Sequence, residues 1–248
     1  MDYPSRILTI GDPDVAIVKH LQDRLNEMGC GPILADGVFG KNTANAVKDF
    51  QSRYCDLNGH PLVVDGKVGI QTWASLFDIA VTRTTSSSLL ITEVLKIARK
   101  EIDVCEVPPF SNSGPRVEEY LKSVRLGPGY AWCAAFAYWC FNQASVKLNL
   151  VNPLVRTAEC IQHWNNTKGV KITSADAINN PLLIEPGSIF IMSRGGGLGH
   201  TGIVTGIKAG YIQTIEGNTN TSLSATGGSV CQLWRKINSI NVGFIKYS

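Results

Sequence analysis

The sequence predicts an α+β protein in which a small all-helical module precedes a domain with an antiparallel sheet packed on a cysteine-bearing helix. Two observations support this prediction. Residues early in the chain follow helical spacing around a repeated turn motif, and segments after residue 185 alternate as short strands joined by glycine-containing turns. The chain has 248 residues, of which 44% are hydrophobic and 17% are charged. That composition can fill substantial cores, and that length suits two modest domains.

The first module is predicted to alternate helices with a repeated turn. One helix is expected over residues 15–28, because apolar residues recur there at helical spacing. The pattern D-G-x-x-G-x-x-T occurs at 36–43 and again, 29 positions later, at 65–72. Each copy precedes an amphipathic stretch. Glycine tolerates positive φ, so each copy predicts a tight turn followed by the start of a helix.

These features resemble the small three-helix peptidoglycan-binding domain over about residues 10–78. The residues that carry the resemblance are Leu21-Gln22, Leu25, Gly29, the turn at 36–43, Val47, Phe50-Gln51 and the segment 65–73. The resemblance implies binding to wall polymer; a generic helical bundle with two similar turns is the alternative. We expect this domain at residues 1–80, a polar linker at 81–88 and a second domain at 89–248.

The second domain carries a cysteine at the predicted start of a helix. Glycines and a proline at 127–129 break regular structure, and the alanine-rich and aromatic run at 130–140 then favours a helix. Cys133 is therefore expected near a helix N-terminus, where the dipole and unpaired amides favour a thiolate and can stabilise an oxyanion. A cysteine on an apolar helix is more often simply buried. Cys140 is interpreted as core, because a helical rise of roughly 10 Å separates it from Cys133.

The chain contains seven cysteines whose spacing suits neither a disulfide scaffold nor a zinc site. We expect most of them to be buried, inert thiols.

Two predicted strands bring polar side chains to one face of the sheet. Residues 199–219 read as a hairpin with a three-residue loop at 208–210. In that register His200 lies opposite Asn218, and both share a face with Glu216. Taken singly, the histidine suits a structural role and the glutamate a solvated strand end. Together with the helix cysteine they supply a nucleophile, a base and an orienting group in the order that a thiolate–imidazolium pair requires.

These blocks resemble the CHAP and NlpC-like cysteine peptidases and amidases, which are compact members of the papain-like superfamily. The resemblance covers about residues 90–246 and is carried by the segments 132–136, 186–188, 199–202 and 215–218. Position by position, it implies Cys133 as nucleophile, His200 as general base and then acid, and Glu216 as orienting acid. Asn218 is implied as a supporting amide or as the orienting group itself. The implied reaction is hydrolysis of a peptidoglycan amide bond, by an N-acetylmuramoyl-L-alanine amidase or an endopeptidase.

Other function classes fit the sequence less well. A net charge of +3 is too small to indicate a nucleic-acid partner. A zinc hydrolase needs several clustered histidines, and only four occur, two of them in the first module. A muramidase needs a carboxylate pair, and none stands out. A non-catalytic wall-binding protein with an inactive papain-like domain is disfavoured, because cysteine, histidine and acid are all present. We expect no cofactor, and calcium dependence stays open.

The sequence also suggests where the protein acts and which partners it has. No apolar run approaches about 18 residues, so no membrane span is expected. The N-terminus has neither the basic region nor the apolar run of a secretory signal, so we expect synthesis in a cytoplasm and delivery to the cell wall. A phage lysin would need holin-dependent release, whereas a secreted bacterial effector would have an immunity protein as partner. We expect a monomer.

Overall fold

The computed structural model describes residues 2–57, 59–78, 82–83, 88–220 and 228–247. The chain forms two compact units. The first comprises Met1–Thr82, Ile178–Pro181 and Lys208–Gly210, and the second comprises Arg83–Ala177, Leu182–Ile207 and Tyr211–Ser248. Of the predicted linker, residues 81 and 84–87 lie outside the described residues. The domain limits given above stay predictions.

The early part of the chain is helical, as predicted. Its described residues form α1 (Val15–Glu27), α2 (Lys41–Arg53) and α3 (Ile70–Phe77). The first helix begins where the Asp14 side chain accepts the Ile17 N–H at 3.1 Å, which satisfies one of the N–H groups that a helix start leaves unpaired. The apolar faces of the helices share one core, whose buried members include Leu8, Val18, Leu21, Leu25, Phe39, Val47, Phe50 and Trp73.

A buried glutamine in the preceding helix holds the first copy of the repeated turn. Gln22 donates through Nε2 to Asp36 Oδ1 and to Thr43 Oγ1, both at 3.0 Å. Its Oε1 accepts the Gly37 N–H at 2.8 Å. One side-chain amide therefore joins the aspartate, the first glycine and the threonine of the motif to α1, so the turn cannot move independently of that helix.

The second copy is held in the same way by Gln51 of α2. Its Nε2 donates to Asp65 Oδ1 at 3.0 Å and to Thr72 Oγ1 at 3.2 Å, and its Oε1 accepts the Gly66 N–H at 2.9 Å. The repeat therefore includes the helix as well as the turn. In each copy the first glycine has positive φ, 78° and 76°. The second glycine instead caps the next helix in an extended conformation, so the positive-φ prediction holds for the first glycine alone.

The remainder of the chain combines helices with strands. The helices are α4 (Leu89–Lys100), α5 (Pro115–Ser123), α6 (Cys133–Lys147), α7 (Cys160–Asn166) and α8 (Ser174–Asn179), with 3-10 turns at Pro181–Leu183 and Ile237–Ser239. The strands are β1 (Thr82–Arg83), β2 (Val170–Thr173), β3 (Ile189–Gly195), β4 (Leu198–Lys208), β5 (Tyr211–Thr219), β6 (Ser229–Lys236) and β7 (Gly243–Lys246).

One sheet contains the strands in the order β2-β7-β3-β4-β5-β6. The pairs β2–β7, β3–β7, β3–β4 and β5–β6 are antiparallel. The strands β4 and β5 are neighbours within the sheet, neither lies at an end of this order, and both are buried along most of their length. These pairings confirm the predicted α+β class with an antiparallel sheet.

The helix α6 lies at the centre of the second unit. It packs against α4, α5 and strand β5, and it is buried on almost every side. Such a helix must be apolar all round, which explains why its sequence is rich in alanine and aromatic residues and has no clear polar face. Cys140 is fully buried in this core, as predicted. The sheet therefore packs on the helix that begins at Cys133.

The β4–β5 hairpin differs from the prediction in its turn. Two residues, Ala209 and Gly210, separate the strands instead of three, and both have positive φ, 48° and 81°. Two successive positive φ values are typical of a type I′ turn, in which alanine is uncommon. A Cβ on Gly202 would lie 2.6 Å from Cγ of Glu216. Gly202 and Glu216 are therefore neighbours across the hairpin.

Candidate active site

The nucleophile candidate occupies the first position of α6. The residue before it, Trp132, has non-helical φ and ψ of −120° and 12°. Its indole Nε1–H donates to Glu106 Oε1 at 2.8 Å, which fixes the entry into the helix. Cys133 is 4% exposed, so its sulfur lies in a nearly dry environment at the helix N-terminus. The helix dipole and the first backbone N–H groups favour a negative charge at that position.

His200 of β4 and Glu216 of β5 form a buried pair. His200 Nε2 lies 2.7 Å from Glu216 Oε2, and the two side chains are 1% and 0% exposed. His200 also interacts with Cys133 closely enough for each side chain to shift the pKa of the other. Because Nε2 faces the carboxylate, Nδ1 is the ring nitrogen that remains for the thiol. The imidazole thus bridges the sulfur and the carboxylate.

Arg235 of β6 holds the Glu216 carboxylate from the other side. Its Nε donates to Oε1 and its Nη2 to Oε2, each at 2.6 Å. Thr214 adds an Oγ1–H bond to Oε1 at 2.5 Å. Both carboxylate oxygens therefore accept hydrogen bonds from Arg235 or Thr214 in addition to the contact with His200. The planar guanidinium fixes the plane of the carboxylate. This arrangement directs one oxygen at His200 and restricts its rotation.

The charged forms of Glu216, His200 and Cys133 stabilise one another. Burial alone would raise the pKa of Glu216, but hydrogen bonds from Arg235 and His200 lower it to about 2. Burial alone would lower the pKa of His200, but its hydrogen bonds to Cys133 and Glu216 raise it to about 9. The pKa of Cys133 is lowered well below its usual value by hydrogen bonds with Cys160 and His200, which outweigh burial. The geometry therefore favours a thiolate next to an imidazolium.

A cavity of about 390 Å³ gives access to the sulfur. Both Cys133 and Cys160 are among the residues that line it, together with Tyr130, Arg156 and Gly199. The full lining is Val124, Leu126, Tyr130, Ala131, Cys133, Arg156, Thr157, Ala158, Glu159, Cys160, Gly197, Leu198 and Gly199. The lining is mixed in polarity and includes one basic and one acidic side chain. It suits a short peptide bearing both carboxylate and amide groups.

Two family models match the chain, and they match it in succession. Residues 15–76 match the putative peptidoglycan binding domain, and residues 125–218 match the CHAP domain. The chain joins a peptidoglycan-binding domain to a CHAP domain. This result confirms both resemblances and their order. It indicates a peptidoglycan hydrolase of the amidase or peptidase class, with peptidoglycan as its substrate. No curated protein and no solved structure matches the chain.

The matched CHAP segment contains all four residues that the sequence singled out. Three of them, Cys133, His200 and Glu216, meet around the histidine ring as described above. Asn218 is buried at the end of β5 with φ of 54°, and its Nδ2–H donates to Asn112 Oδ1 at 2.9 Å. The contact of 2.7 Å to His200 Nε2 belongs to Glu216. The catalytic roles of all four residues stay predictions, which are developed below.

Three glycines of the CHAP domain allow the backbone to pack tightly around this site. A Cβ on Gly217 would lie 2.5 Å from the Trp132 ring and 2.8 Å from Phe136 Cβ, and one on Gly199 would lie 2.8 Å from Cys160 Cβ. Gly202 is equally close to Glu216. None of these glycines has positive φ, so each is needed for space and not for an unusual backbone conformation.

Sequence reasoning did not identify Arg235 or Cys160. Arg235 lies on β6 beyond the matched CHAP segment, where Leu233 and Arg235 are buried and Trp234 is exposed. An arginine at an inward position of an alternating strand is a signal for a buried acidic partner, and it could have been used. Cys160 begins α7, and its Sγ lies 3.7 Å from that of Cys133. Nothing in the spacing of the cysteines indicates this contact.

Two further observations concern metal ions and membrane-spanning helices. Within the ranges given above, no group of three or more histidine, cysteine, aspartate or glutamate side chains is arranged to hold a metal ion. The helices in those same ranges are all too short or too polar to cross a membrane.

Proposed function

We propose that the protein hydrolyses an amide bond in the peptide part of peptidoglycan, with the thiolate of Cys133 as nucleophile. The observation that carries this proposal is the buried chain of contacts from Cys133 through His200 to Glu216, beside a cavity open to a substrate. The CHAP match supports the reaction class, and the geometry supports the choice of residues. A thiolate is far more nucleophilic than a thiol, so the charge pattern at the site matters as much as the distances.

The reaction proceeds through an acyl-enzyme. The Cys133 sulfur attacks the carbonyl carbon, and the developing oxyanion is stabilised by backbone N–H groups at the start of α6. His200, protonated before the attack, gives its proton to the departing amine. It then acts as a base toward the water that hydrolyses the thioester, which regenerates the thiolate and the imidazolium.

Glu216 and Arg235 act through the histidine. The carboxylate fixes the ring angle and the tautomer, and it stabilises the imidazolium. Arg235 and Thr214 hold the carboxylate in its ionised form and in one plane. Asn218, bonded to Asn112, supports the end of β5 near the site. We therefore assign the orienting role to Glu216.

The peptidoglycan-binding domain raises the local concentration of the CHAP domain on an insoluble substrate. Binding at one site converts the second encounter into an intramolecular event, which increases turnover without any new contact in the active site. Holin-dependent release and an immunity protein are the partners that two delivery routes would require, and both stay predictions, as does the monomeric state.

A pair of matched alanine variants tests the nucleophile. Cys133→Ala and Cys140→Ala each remove one buried sulfur from the same helix, but only Cys133 faces His200. We expect Cys133→Ala to lose about a thousandfold or more in the rate of clearing a purified wall suspension, because the covalent step is lost. Cys140→Ala should stay within several-fold of the unaltered protein. Equal activity of the two variants would contradict the proposal.

Mass spectrometry of the soluble products identifies the bond. An amidase releases stem peptides with a free L-alanine amine and glycan chains without peptide. An endopeptidase leaves the stem attached and exposes a new amine within the stem or the cross-bridge. New reducing sugar ends without new amines would show a muramidase instead, and the proposal would then be wrong. Thiol alkylation should abolish product formation.

A further inference from the structure

The nucleophile has a second thiol beside it. Cys133 and Cys160 come from different helices, yet their sulfurs lie 3.7 Å apart. An S–S bond is about 2.05 Å long, so the sulfurs need to approach by less than about 2 Å to form one. Both residues are buried, and both line the cavity of about 390 Å³ that leads to solvent. A small oxidant that enters this cavity meets both thiols together.

The other cysteines do not share this arrangement. Cys140 lies two turns along α6 from Cys133, and a helical rise of about 10 Å keeps the two sulfurs apart. Cys55 and Cys105 are exposed, Cys231 is half-buried and Cys30 belongs to the first unit. Cys160 is therefore the thiol placed to react with Cys133.

We propose that Cys133 and Cys160 form a reversible disulfide that blocks the nucleophile, with Cys160 as the resolving thiol. The disulfide itself depends only on the contact between the two sulfurs. Its effect on activity rests on the proposed function of Cys133. This assigns a modification site to Cys160, and hydroperoxides are the class of oxidant that it accepts.

The chemistry balances with a hydroperoxide as oxidant. The Cys133 sulfur attacks a peroxide oxygen, an S–O bond forms, the O–O bond breaks, and the departing hydroxide takes a proton to leave as water. The Cys160 sulfur then attacks the Cys133 sulfenic acid. The S–S bond forms as the S–O bond breaks, and the hydroxide leaves as water with the proton of Cys160. In sum, two thiols and one hydrogen peroxide give one disulfide and two waters. A dithiol reductant supplies the two hydrogens for the reverse reaction.

The two thiols differ in the way that this sequence requires. The hydrogen bond from Cys160 to Cys133 lowers the pKa of Cys133 and raises that of Cys160, and burial raises the pKa of Cys160 further. Cys133 is thus the sulfur that reacts first with oxidant, because a thiolate attacks a peroxide oxygen far more readily than a thiol does. Cys160 keeps its proton until the sulfenic acid forms beside it.

Peptide mapping of the full chain tests the disulfide directly. The reduced protein is treated with hydrogen peroxide at low protein concentration, remaining thiols are alkylated, and the digest is analysed without reductant. We expect a cross-linked peptide that joins Cys133 to Cys160 and disappears after dithiothreitol. Wall-clearing activity should fall about tenfold or more on oxidation and return to near its starting value on reduction.

Two variants separate this disulfide from general oxidation. In Cys160→Ala the sulfenic acid has no neighbouring thiol, so peroxide should carry Cys133 to the sulfinic or sulfonic acid, and dithiothreitol should not restore activity. Cys140→Ala, a matched loss of a buried sulfur, should still form the cross-link. Cys160→Ser provides the same comparison if the alanine variant does not fold, and the map of the unaltered protein needs no variant at all.

The outcomes distinguish this proposal from that of the function. A map in which Cys133 is overoxidised or linked to another cysteine overturns the disulfide. If dithiothreitol restores the activity of peroxide-treated Cys160→Ala as completely as that of the unaltered protein, Cys160 is not the resolving thiol. If the cross-link forms and breaks as expected while Cys133→Ala still cleaves peptidoglycan, the disulfide stands and the proposed nucleophile is wrong.

Discussion

Arg235 offers the sharpest test of how this site is held. The change Arg235→Met keeps an unbranched stem of similar length and removes two hydrogen bonds of 2.6 Å to Glu216. The side chains of Arg235 and Glu216 are 5% and 0% exposed, so water cannot replace the lost donors. Removing one partner of a buried ion pair costs about 3–5 kcal/mol. His200 and Thr214 still contact the carboxylate, so we expect a loss in the free energy of unfolding of about 3 kcal/mol, the lower end of this range.

An exposed ion pair in the same domain provides the control. Lys147 Nζ lies 2.6 Å from Glu93 Oε1, the same separation as in the buried pair, but the two side chains are 56% and 17% exposed. Lys147→Met should therefore lower the free energy of unfolding by only a small part of the loss expected for Arg235→Met. Solvent screens the exposed pair and hydrates the Glu93 carboxylate that remains. Both variants place methionine where a cation lay 2.6 Å from a glutamate, and the two pairs differ in burial and in the number of hydrogen bonds, two for Arg235 and one for Lys147.

Urea unfolding followed by tryptophan fluorescence measures the difference. Four of the five tryptophans lie in the second unit: Trp132, Trp139, Trp164 and Trp234. With a slope of about 2 kcal/mol per molar urea, a loss of about 3 kcal/mol lowers the midpoint by about 1.5 M. Similar midpoints for Arg235→Met and Lys147→Met would refute the reasoning. We also expect Arg235→Met to lower kcat for wall cleavage, since the carboxylate that orients His200 loses its fixed plane.

The remaining predictions concern the orienting group, the pH dependence and the first domain. Glu216→Gln should lower kcat more than Asn218→Ala does while KM changes little in steady-state assays; a larger loss in the asparagine variant would assign the orienting role to Asn218. Activity should fall as pH rises through about 9, where the His200 imidazolium loses its proton, and in Glu216→Gln this fall should move to lower pH; an unmoved profile would exclude the pairing. Because the folded pKa of His200 lies above its usual value of 6.5, its contribution to stability, measured by urea unfolding across pH, should be full below 6.5 and lost through about 9. A chain beginning near Ser88 should cleave soluble muropeptides but act slowly on intact sacculi and no longer co-sediment with them; unchanged activity on sacculi would show that the first domain is dispensable.

Local sequence signals predicted the nucleophile helix and the His200–Glu216 pair. The glycines and proline at 127–129 end the preceding structure, so the helix has to begin close to Cys133. The hairpin is also local, because its two strands are adjacent in the chain and alternate side chains point to one face. The repeated turn was visible for the same reason, since the glutamine that holds each copy lies on the helix just before it.

Sequence patterns did not predict the contacts between segments that are distant in the chain. The two sulfurs at the site are 27 positions apart and meet because α6 and α7 both begin beside the same cavity. Arg235 reaches Glu216 from a strand that follows residues outside the described ranges. The turn length was also mispredicted. Ala209 adopts positive φ, which a residue with a Cβ rarely does. The prediction allowed only Gly210 this conformation, so it placed Lys208 in the loop, whereas Lys208 is the last residue of β4.

Two kinds of glycine lie around the site. On the sheet side, even one methyl group at Gly199, Gly202 or Gly217 would collide with Cys160, Glu216 or Trp132, respectively. In the turn between β3 and β4, Gly195 and Gly197 have no atom within 4 Å of where a Cβ would lie, but their positive φ, 82° and 80°, would strain any other residue. Selection for a different stem peptide or cross-bridge therefore has room to act on the exposed side chains of Leu198 and Arg156 in the cavity wall. Enzymes that diverge from this one should differ in that wall long before they differ in the sheet beneath it.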